Sequence, residues 1–198
     1  GLEWYFTKDS FVSATVFRKE ISSFIINQSS PETIDGTVYN ITRPVNGTEK
    51  VIINGLEIGG QYAFDFLPAP FDGFGVLANY TYQQDKGFRG RNQLTGEILP
   101  FPGLSRKSYN VSLYYENDKF SVRGSYNWRD QWLITPTGRG NLPEFNEAFG
   151  SLDASASYNV TDKITVFLEG VNLTDEVRIE NNNAVRRIGN ETFGSRYF

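Results

Sequence analysis

Between Ser105 and Asn159 the chain alternates hydrophobic and polar residues with a period of two. In the run SRKSYNVSLYYE, Tyr109, Val111, Leu113 and Tyr115 share one parity, and Ser108, Asn110, Ser112 and Tyr114 share the other. After Asn117 and Asp118, Phe120, Val122, Gly124, Tyr126 and Trp128 alternate with Ser121, Arg123, Ser125, Asn127 and Arg129. Beyond a polar loop, Leu152, Ala154, Ala156 and Tyr158 alternate with Ser151, Asp153, Ser155, Ser157 and Asn159. A strand places successive side chains on opposite faces, so each run has one apolar and one polar face. The runs are about a dozen residues long, against roughly 5–6 for a typical globular strand. A tilted strand that crosses a bilayer needs about 9–11. The pattern therefore predicts an all-β, antiparallel, membrane-crossing wall.

The same alternation continues on both sides. Leu2, Trp4 and Phe6 share a face, and Phe11–Ile25 is rich in β-branched and aromatic residues, with apolar residues on both parities (Phe11 and Phe17 against Val12, Ala14 and Val16). Lys50–Phe66, Phe74–Gln83, Leu152–Val160 and Lys163–Val171 are further predicted strands, and Phe193–Phe198 is the last. Polar, Pro- and Gly-bearing segments over 27–48, 84–104, 133–147 and 172–192 read as long loops. Short and long connections thus alternate strictly, as in outer-membrane barrels with tight periplasmic turns and long extracellular loops. On that reading Tyr80, Tyr82, Tyr109, Trp128 and Trp132 lie near the outer interface. Trp4, Phe64, Phe66, Phe74, Tyr115 and Tyr158 lie near the inner one, as amphipathic rings settle at headgroup level.

The faces follow. Lipid-facing are Tyr109, Val111, Leu113, Tyr115, Phe120, Val122, Tyr126, Trp128, Leu152, Ala154, Ala156 and Tyr158. Lumen-facing are Glu57, Gln61, Asp65, Asn79, Arg123, Asn127, Arg129, Asp153 and Glu169, with Asp153 and Glu169 expected to pair with Arg123 and Arg129. About nine strands are predicted. An odd antiparallel set cannot close without a parallel pair, and an open edge in lipid leaves backbone groups unsatisfied at several kcal/mol each. The expectation is an incomplete wall whose remaining strands lie N-terminal, with the last strand cut short.

Composition narrows the chemistry. The chain has no His, no Cys and no Met, which excludes imidazole-dependent hydrolysis, disulfides and a zinc site of the usual ligands. Neither a cofactor nor a metal is expected, and carboxylates such as Glu57 and Asp153 read as hydration of a polar lumen rather than as an acid–base pair. A net charge of −4 offers no basic footprint for nucleic acid. Eight Asn-x-Ser/Thr triplets are largely by-products of the alternation, since their first and third residues share the polar face. Ligand contact is expected on the long loops, where Arg43, Arg89, Arg91, Trp132 and Arg139 are candidates. The competing reading is that each exposed arginine only solvates its loop or meets lipopolysaccharide phosphates.

The run Phe167-Leu168-Glu169-Gly170-Val171-Asn172-Leu173-Thr174-Asp175-Glu176 resembles the penultimate-strand pattern of the TonB-dependent receptors of bacterial outer membranes, which ends in Asn-Leu-x-Asp. The ending Phe193-Gly194-Ser195-Arg196-Tyr197-Phe198 is similar to that family's final strand, and Gly1–Ile25, Gly55–Phe66 and Leu104–Tyr115 look like its later strands. In wording the chain is closest to the carbohydrate-uptake branch. The resemblance implies that residues 1–198 are the C-terminal portion of a barrel of about 22 strands around an N-terminal plug. It further implies import of a scarce nutrient, a carbohydrate or siderophore-type ligand, energised by TonB through an N-terminal part not found in this sequence. The implied partners are outer-membrane lipid and lipopolysaccharide, the remaining strands and plug of the same receptor, TonB, and a small-molecule or oligosaccharide ligand. Two alternatives remain: a plug-less porin or adhesin barrel, and a soluble all-β glycan-binding module.

Overall fold

The computed structural model describes residues 1–183, 186–192 and 196–197. Among these the chain forms β1 (Leu2–Thr7), β2 (Ser10–Ser22), β3 (Ile25–Ile34), β4 (Thr37–Asn46), β5 (Lys50–Ala63), β6 (Phe74–Lys86), β7 (Lys107–Glu116) and β8 (Phe120–Arg129). It continues through β9 (Trp132–Thr135), β10 (Glu144–Asn146), β11 (Phe149–Thr161), β12 (Ile164–Val171), β13 (Val177–Asn182), β14 (Arg186–Thr192) and β15 (Arg196–Tyr197). Nine of them make one antiparallel sheet in the order β1-β2-β5-β6-β7-β8-β11-β12-β15, the predicted wall. Of the predicted last strand only Arg196–Tyr197 is described, paired with β12; the rest of 193–198 lies outside the described residues.

Register puts the apolar parity of neighbouring strands on one side of the sheet and the polar parity on the other. Tyr80, Tyr109 and Trp128 fall in one cross-strand row, and Phe74, Tyr115 and Val122 in another. Tyr109 stacks on Trp128 with centroids 5.2 Å apart, and Tyr115 stacks on Phe120 at 5.0 Å. The two rows of rings are six residues apart on β7, about 20 Å along a strand. Between them lie Ala78, Val111, Gly124 and Ala154.

The exposure pattern is inverted relative to a water-soluble protein. On β7 Leu113 is 61% exposed while its neighbour Ser112 is 6% exposed. On β2 Val12, Ala14 and Val16 are exposed while Phe11, Ser13, Thr15 and Phe17 are half-buried. This settles the register that both-parity apolar residues leave open in the sequence. Single exposed apolar residues are ordinary, but a continuous apolar face of this extent needs a non-aqueous neighbour.

The short turns are built by local hydrogen bonds. Asn117 Oδ1 accepts the N–H groups of Lys119 and Phe120, both at 2.9 Å, an Asx turn between β7 and β8. The β5–β6 connection carries a single 3-10 turn, Phe71–Gly73, and the Tyr115 hydroxyl donates to the Pro70 carbonyl at 2.8 Å across it. Asp65 falls past the end of β5, in this turn, rather than within a strand. The other termini differ from expectation by a few residues, β6 running on to Lys86 and β11 beginning at Phe149.

The long connections are not plain loops. Residues 25–46 form a separate two-stranded sheet, β3 with β4, in a segment that the prolines and glycines mark as loop. Pro31 and Pro44 are tolerated because a two-stranded ribbon has two edges that need no partner. The connections β8–β11 and β12–β15 combine into a four-stranded sheet, β14-β13-β10-β9. The remaining connection, residues 87–106, folds over the polar-parity face of the wall. There Val51, Ile53, Phe88, Leu99 and Leu133 are buried together, with Phe17, Ile21, Phe24, Phe101, Leu104 and Phe145 packed around them.

Candidate functional site

The polar face of the wall carries a hydrogen-bonded ladder. Asn110 Nδ2 donates to Asn127 Oδ1, Asn127 Nδ2 donates to Asp153 Oδ2 at 3.4 Å, and the Ser112 and Ser125 hydroxyls meet at 2.8 Å. Glu57, Gln61, Asn79, Arg123, Arg129 and Glu169 share this face by register, while all twelve residues assigned to the lipid side share the other. Among the described residues the expected ion pairs do not form. Asp153 Oδ1 instead accepts the Asn172 backbone N–H at 2.8 Å, and Arg123 lies over the Tyr114 ring at 5.8 Å. Arg129 donates from Nε to Ser105 Oγ and from Nη2 to the Gly103 carbonyl, both at 2.9 Å, with its guanidinium 3.8 Å above Trp132. A planar guanidinium satisfied in plane and stacked on an indole gains little from a distant carboxylate.

Asn172 explains the Asn-Leu-x-Asp run. It is 2% exposed and sits at φ 51°, a left-handed conformation that Asn tolerates. Its Oδ1 accepts the Glu176 N–H and its Nδ2 donates to the Glu176 carbonyl, both at 3.0 Å. The Asp175 N–H donates to the Asn172 carbonyl at 2.9 Å, and the Leu173 N–H donates to the Leu152 carbonyl at 2.7 Å. One buried amide thereby ends β12 and starts the chain into the outer sheet. Its role is positional.

The five predicted ligand residues are spread over separate structures. Arg43 is engaged by Glu32 across the β3–β4 ribbon, Nη1 to Oε1 and Nη2 to Oε2, the latter at 2.9 Å, and this carboxylate raises the arginine pKa above its ordinary value. Arg91 Nη1 donates to the Gly96 carbonyl at 2.8 Å, within its own loop. Arg89 lies beside it, its backbone N–H held by Glu49 Oε2 at 3.1 Å. Arg139 stands on the four-stranded sheet, its N–H donating to Glu144 Oε1 at 2.8 Å and its carbonyl accepting Asn182 Nδ2 at 2.8 Å.

Of the five, Trp132 lines a cavity of about 350 Å³ at the top of the wall. Its apolar floor is Leu104, Leu133, Phe145 and the Trp132 indole. Its polar rim is Gln83, Asp85, Arg106, Asp130 and Gln131, none of which sequence reasoning singles out as ligand contacts. These come from the end of β6, from the 87–106 connection and from the β8–β9 corner, so no spacing in the chain announces them. Asp85 Oδ2 accepts the Phe101 N–H at 3.2 Å, Gln83 Nε2 donates to the Ser105 carbonyl at 3.1 Å, and Asp130 Oδ1 accepts the Gln131 N–H at 2.9 Å. Among the described residues no three His, Cys, Asp or Glu side chains gather as a metal site.

The family described as TonB dependent receptor-like, beta-barrel matches residues 1–173. Solved structures with the same fold include the siderophore receptor PiuA from Acinetobacter baumannii, at 17% identity and a TM-score of 0.63, covering 98% of this chain and 26% of that one. The ferric-catecholate import receptor Fiu from E. coli K12 matches at 20% identity and a TM-score of 0.65, covering 98% of this chain and 25% of that one. The copper transporter OprC matches at 16% identity and a TM-score of 0.63, over 98% of this chain and 28% of that one. The chain therefore spans about a quarter of the length of these receptors. No curated protein matches it.

Proposed function

Since the chain belongs to the TonB-dependent receptor β-barrel family, whose members are transport receptors of the Gram-negative outer membrane, we propose that it forms the C-terminal wall of a receptor that imports a scarce nutrient. The reading rests above all on the inverted exposure of the nine-stranded sheet, with Leu113 bare and Ser112 covered. The row of Tyr109, Val111, Leu113 and Tyr115 and its neighbours then face lipid. The Asn110–Asn127–Asp153 ladder lines a wet lumen, as barrel interiors require. A ligand caught at the loops would be released by movement of a plug and cross along this polar face, driven by TonB. The chain supplies the wall and part of the mouth, and takes no chemical part in the transfer. The neighbours' printed ligands, siderophores and copper, and the carbohydrate alternative are all compatible with a nutrient receptor of this build. The test is uptake by cells that carry the full-length receptor, with and without TonB. Uptake that requires TonB supports import; equal uptake without it points to an open pore, and recovery of the protein from washed cells without detergent points to a soluble module.

A further inference from the structure

A groove of about 440 Å³ is let into the apolar face of the wall. Its cause is local. Gly60 and Ala78 are cross-strand partners, and in their row they stand between the larger Val12 and Val111. Tyr80 and Tyr109 close the groove on the side of the long connections, and Phe6 and Tyr62 close it on the other. These rings are held from outside the groove. Tyr109 stacks on Trp128 at 5.2 Å, and Tyr62 meets Phe64 at 5.5 Å and Phe6 at 5.8 Å. From Ile58 to Tyr62 the recess runs about 13 Å along β5. Its walls are set before anything enters, which cuts the ordering cost of filling it.

Charge identifies the occupant. One cross-strand pair beyond Tyr80 and Tyr109, on the same parity, Lys107 sits opposite Tyr82. It is exposed, and its ammonium makes no hydrogen bond or ion pair among the described residues. Asp130, across from it, turns its carboxylate to the Gln131 N–H at 2.9 Å. On the other flank Arg18 and Lys50 share the single carboxylate of Glu20, at 3.2 and 2.6 Å. With Lys86, this end of the apolar-parity face carries four cations against Glu20 and Asp130, in a chain of net charge −4. At its other end the groove meets the rings of Phe64 and Phe66, both packed on Tyr62, so a charged headgroup has its place at the Lys107 end. The groove itself lies between the two rows of rings, at hydrocarbon depth, out of reach of a water-soluble partner. A second copy docked by two-fold symmetry would set this patch against itself, cation to cation. An acyl chain with an anionic headgroup meets neither obstacle. Arg18 on β2 and Lys107 on β7 stand three strand spacings apart, about 14 Å, which suits a headgroup with two phosphates. We propose that the groove seats one acyl chain of a doubly phosphorylated lipid, with its phosphates at Lys107 and at the Arg18–Lys50 pair, as a fixed part of the wall. The proposal rests on the import-wall reading, which sets this face in lipid.

The test is native mass spectrometry of the full-length receptor in detergent with added diphosphoryl lipid A, and with dimyristoylphosphatidylglycerol as the singly phosphorylated competitor. Ala78→Leu fills the floor, Lys107→Gln removes a charge that holds nothing inside the fold, and Ala156→Leu adds the same bulk elsewhere on the apolar face. One lipid A is expected to stay bound. Its retention should fall about tenfold in Lys107→Gln, the size of one charge-assisted hydrogen bond, at least as far in Ala78→Leu, and not at all in Ala156→Leu. Unchanged retention in Lys107→Gln overturns the site, whether or not Ala78→Leu folds, and equal loss in Ala156→Leu shows a fluid coat instead of a seat. Phosphatidylglycerol retained in preference to lipid A overturns the headgroup. A dimer that dissociates in Ala78→Leu makes a second copy the occupant. Each of these leaves the face assignment standing. Lipid retention that responds to Ser112→Arg and to none of the apolar-face variants reverses the faces and takes the import-wall reading with it.

Discussion

Leu133 is the residue whose truncation separates the mouth from the wall. It is fully buried (0% exposed) and packs with Val51, Ile53, Phe88 and Leu99, bringing β9, β5 and the 87–106 connection together. Leu133→Ala removes three carbons from a close-packed site, which costs about 2–5 kcal/mol. At about 3 kcal/mol, within that range, the open population of the covering segment rises by roughly two orders of magnitude. The segment's own hydrogen bonds report on this: Asn92 N–H to the Glu97 carbonyl (2.9 Å), Leu99 N–H to the Gly90 carbonyl (2.8 Å) and Gly103 N–H to the Leu133 carbonyl (2.8 Å). Hydrogen exchange of the full-length receptor, read by mass spectrometry, is expected to show these amides exchanging about a hundredfold faster in the variant. The ladder amides between β7 and β8, which pair from Ser108 with Arg129 to Glu116 with Ser121, are expected to be unchanged. Unaltered exchange over 87–106 would mean that this cluster does not hold the connection down. Equal acceleration in β7 and β8 would mean that mouth and wall unfold as one unit, and the separation drawn between them would be wrong.

Three further outcomes follow from single residues. Asn172→Ala breaks both bonds to Glu176 and places alanine at φ 51°, costing about 1–3 kcal/mol; limited proteolysis should then cut near 172–176 in the variant and spare the parent. Gly55→Ala drives a methyl to within 2.2 Å of the Phe17 ring, an overpacking worth about 1–3 kcal/mol, read as a lowered unfolding temperature in detergent. Leu113→Arg puts a charge in the middle of the apolar band and is expected to cost about 2–4 kcal/mol in refolding into vesicles, whereas Ser112→Arg on the opposite face costs far less; equal costs would contradict the assignment of faces.

The wall was legible because its signal is local: a period of two over a dozen residues states both strand and face, and the register of β6, β7, β8 and β11 obeys it pair by pair. Turn chemistry at Asn117–Asp118 was equally local. The covered mouth was not, although the sequence holds its trace. Phe17, Ile21, Val51 and Ile53 put apolar side chains on the polar parity at one end of β2 and β5, which blurs the alternation there and marks where the 87–106 connection returns to cover them. The β3–β4 ribbon is a local hairpin turning at Asp35-Gly36, which its prolines disguise as loop, whereas the joining of β9 and β10 with β13 depends on pairing between distant segments. The cavity's rim escaped for the same reason. Arg106 and Gln131 look like any solvated residues until the end of β6 and two connections bring them to one indole.

If a bilayer touches one face of the wall and water the other, spin labels at Ser112→Cys and Leu113→Cys of the full-length receptor in lipid vesicles measure that difference directly. The label at 113 should collide with oxygen dissolved in the bilayer and be shielded from a water-soluble nickel chelate, and the label at 112 should show the reverse. Nickel collision at 113 equal to that at 112 would contradict it.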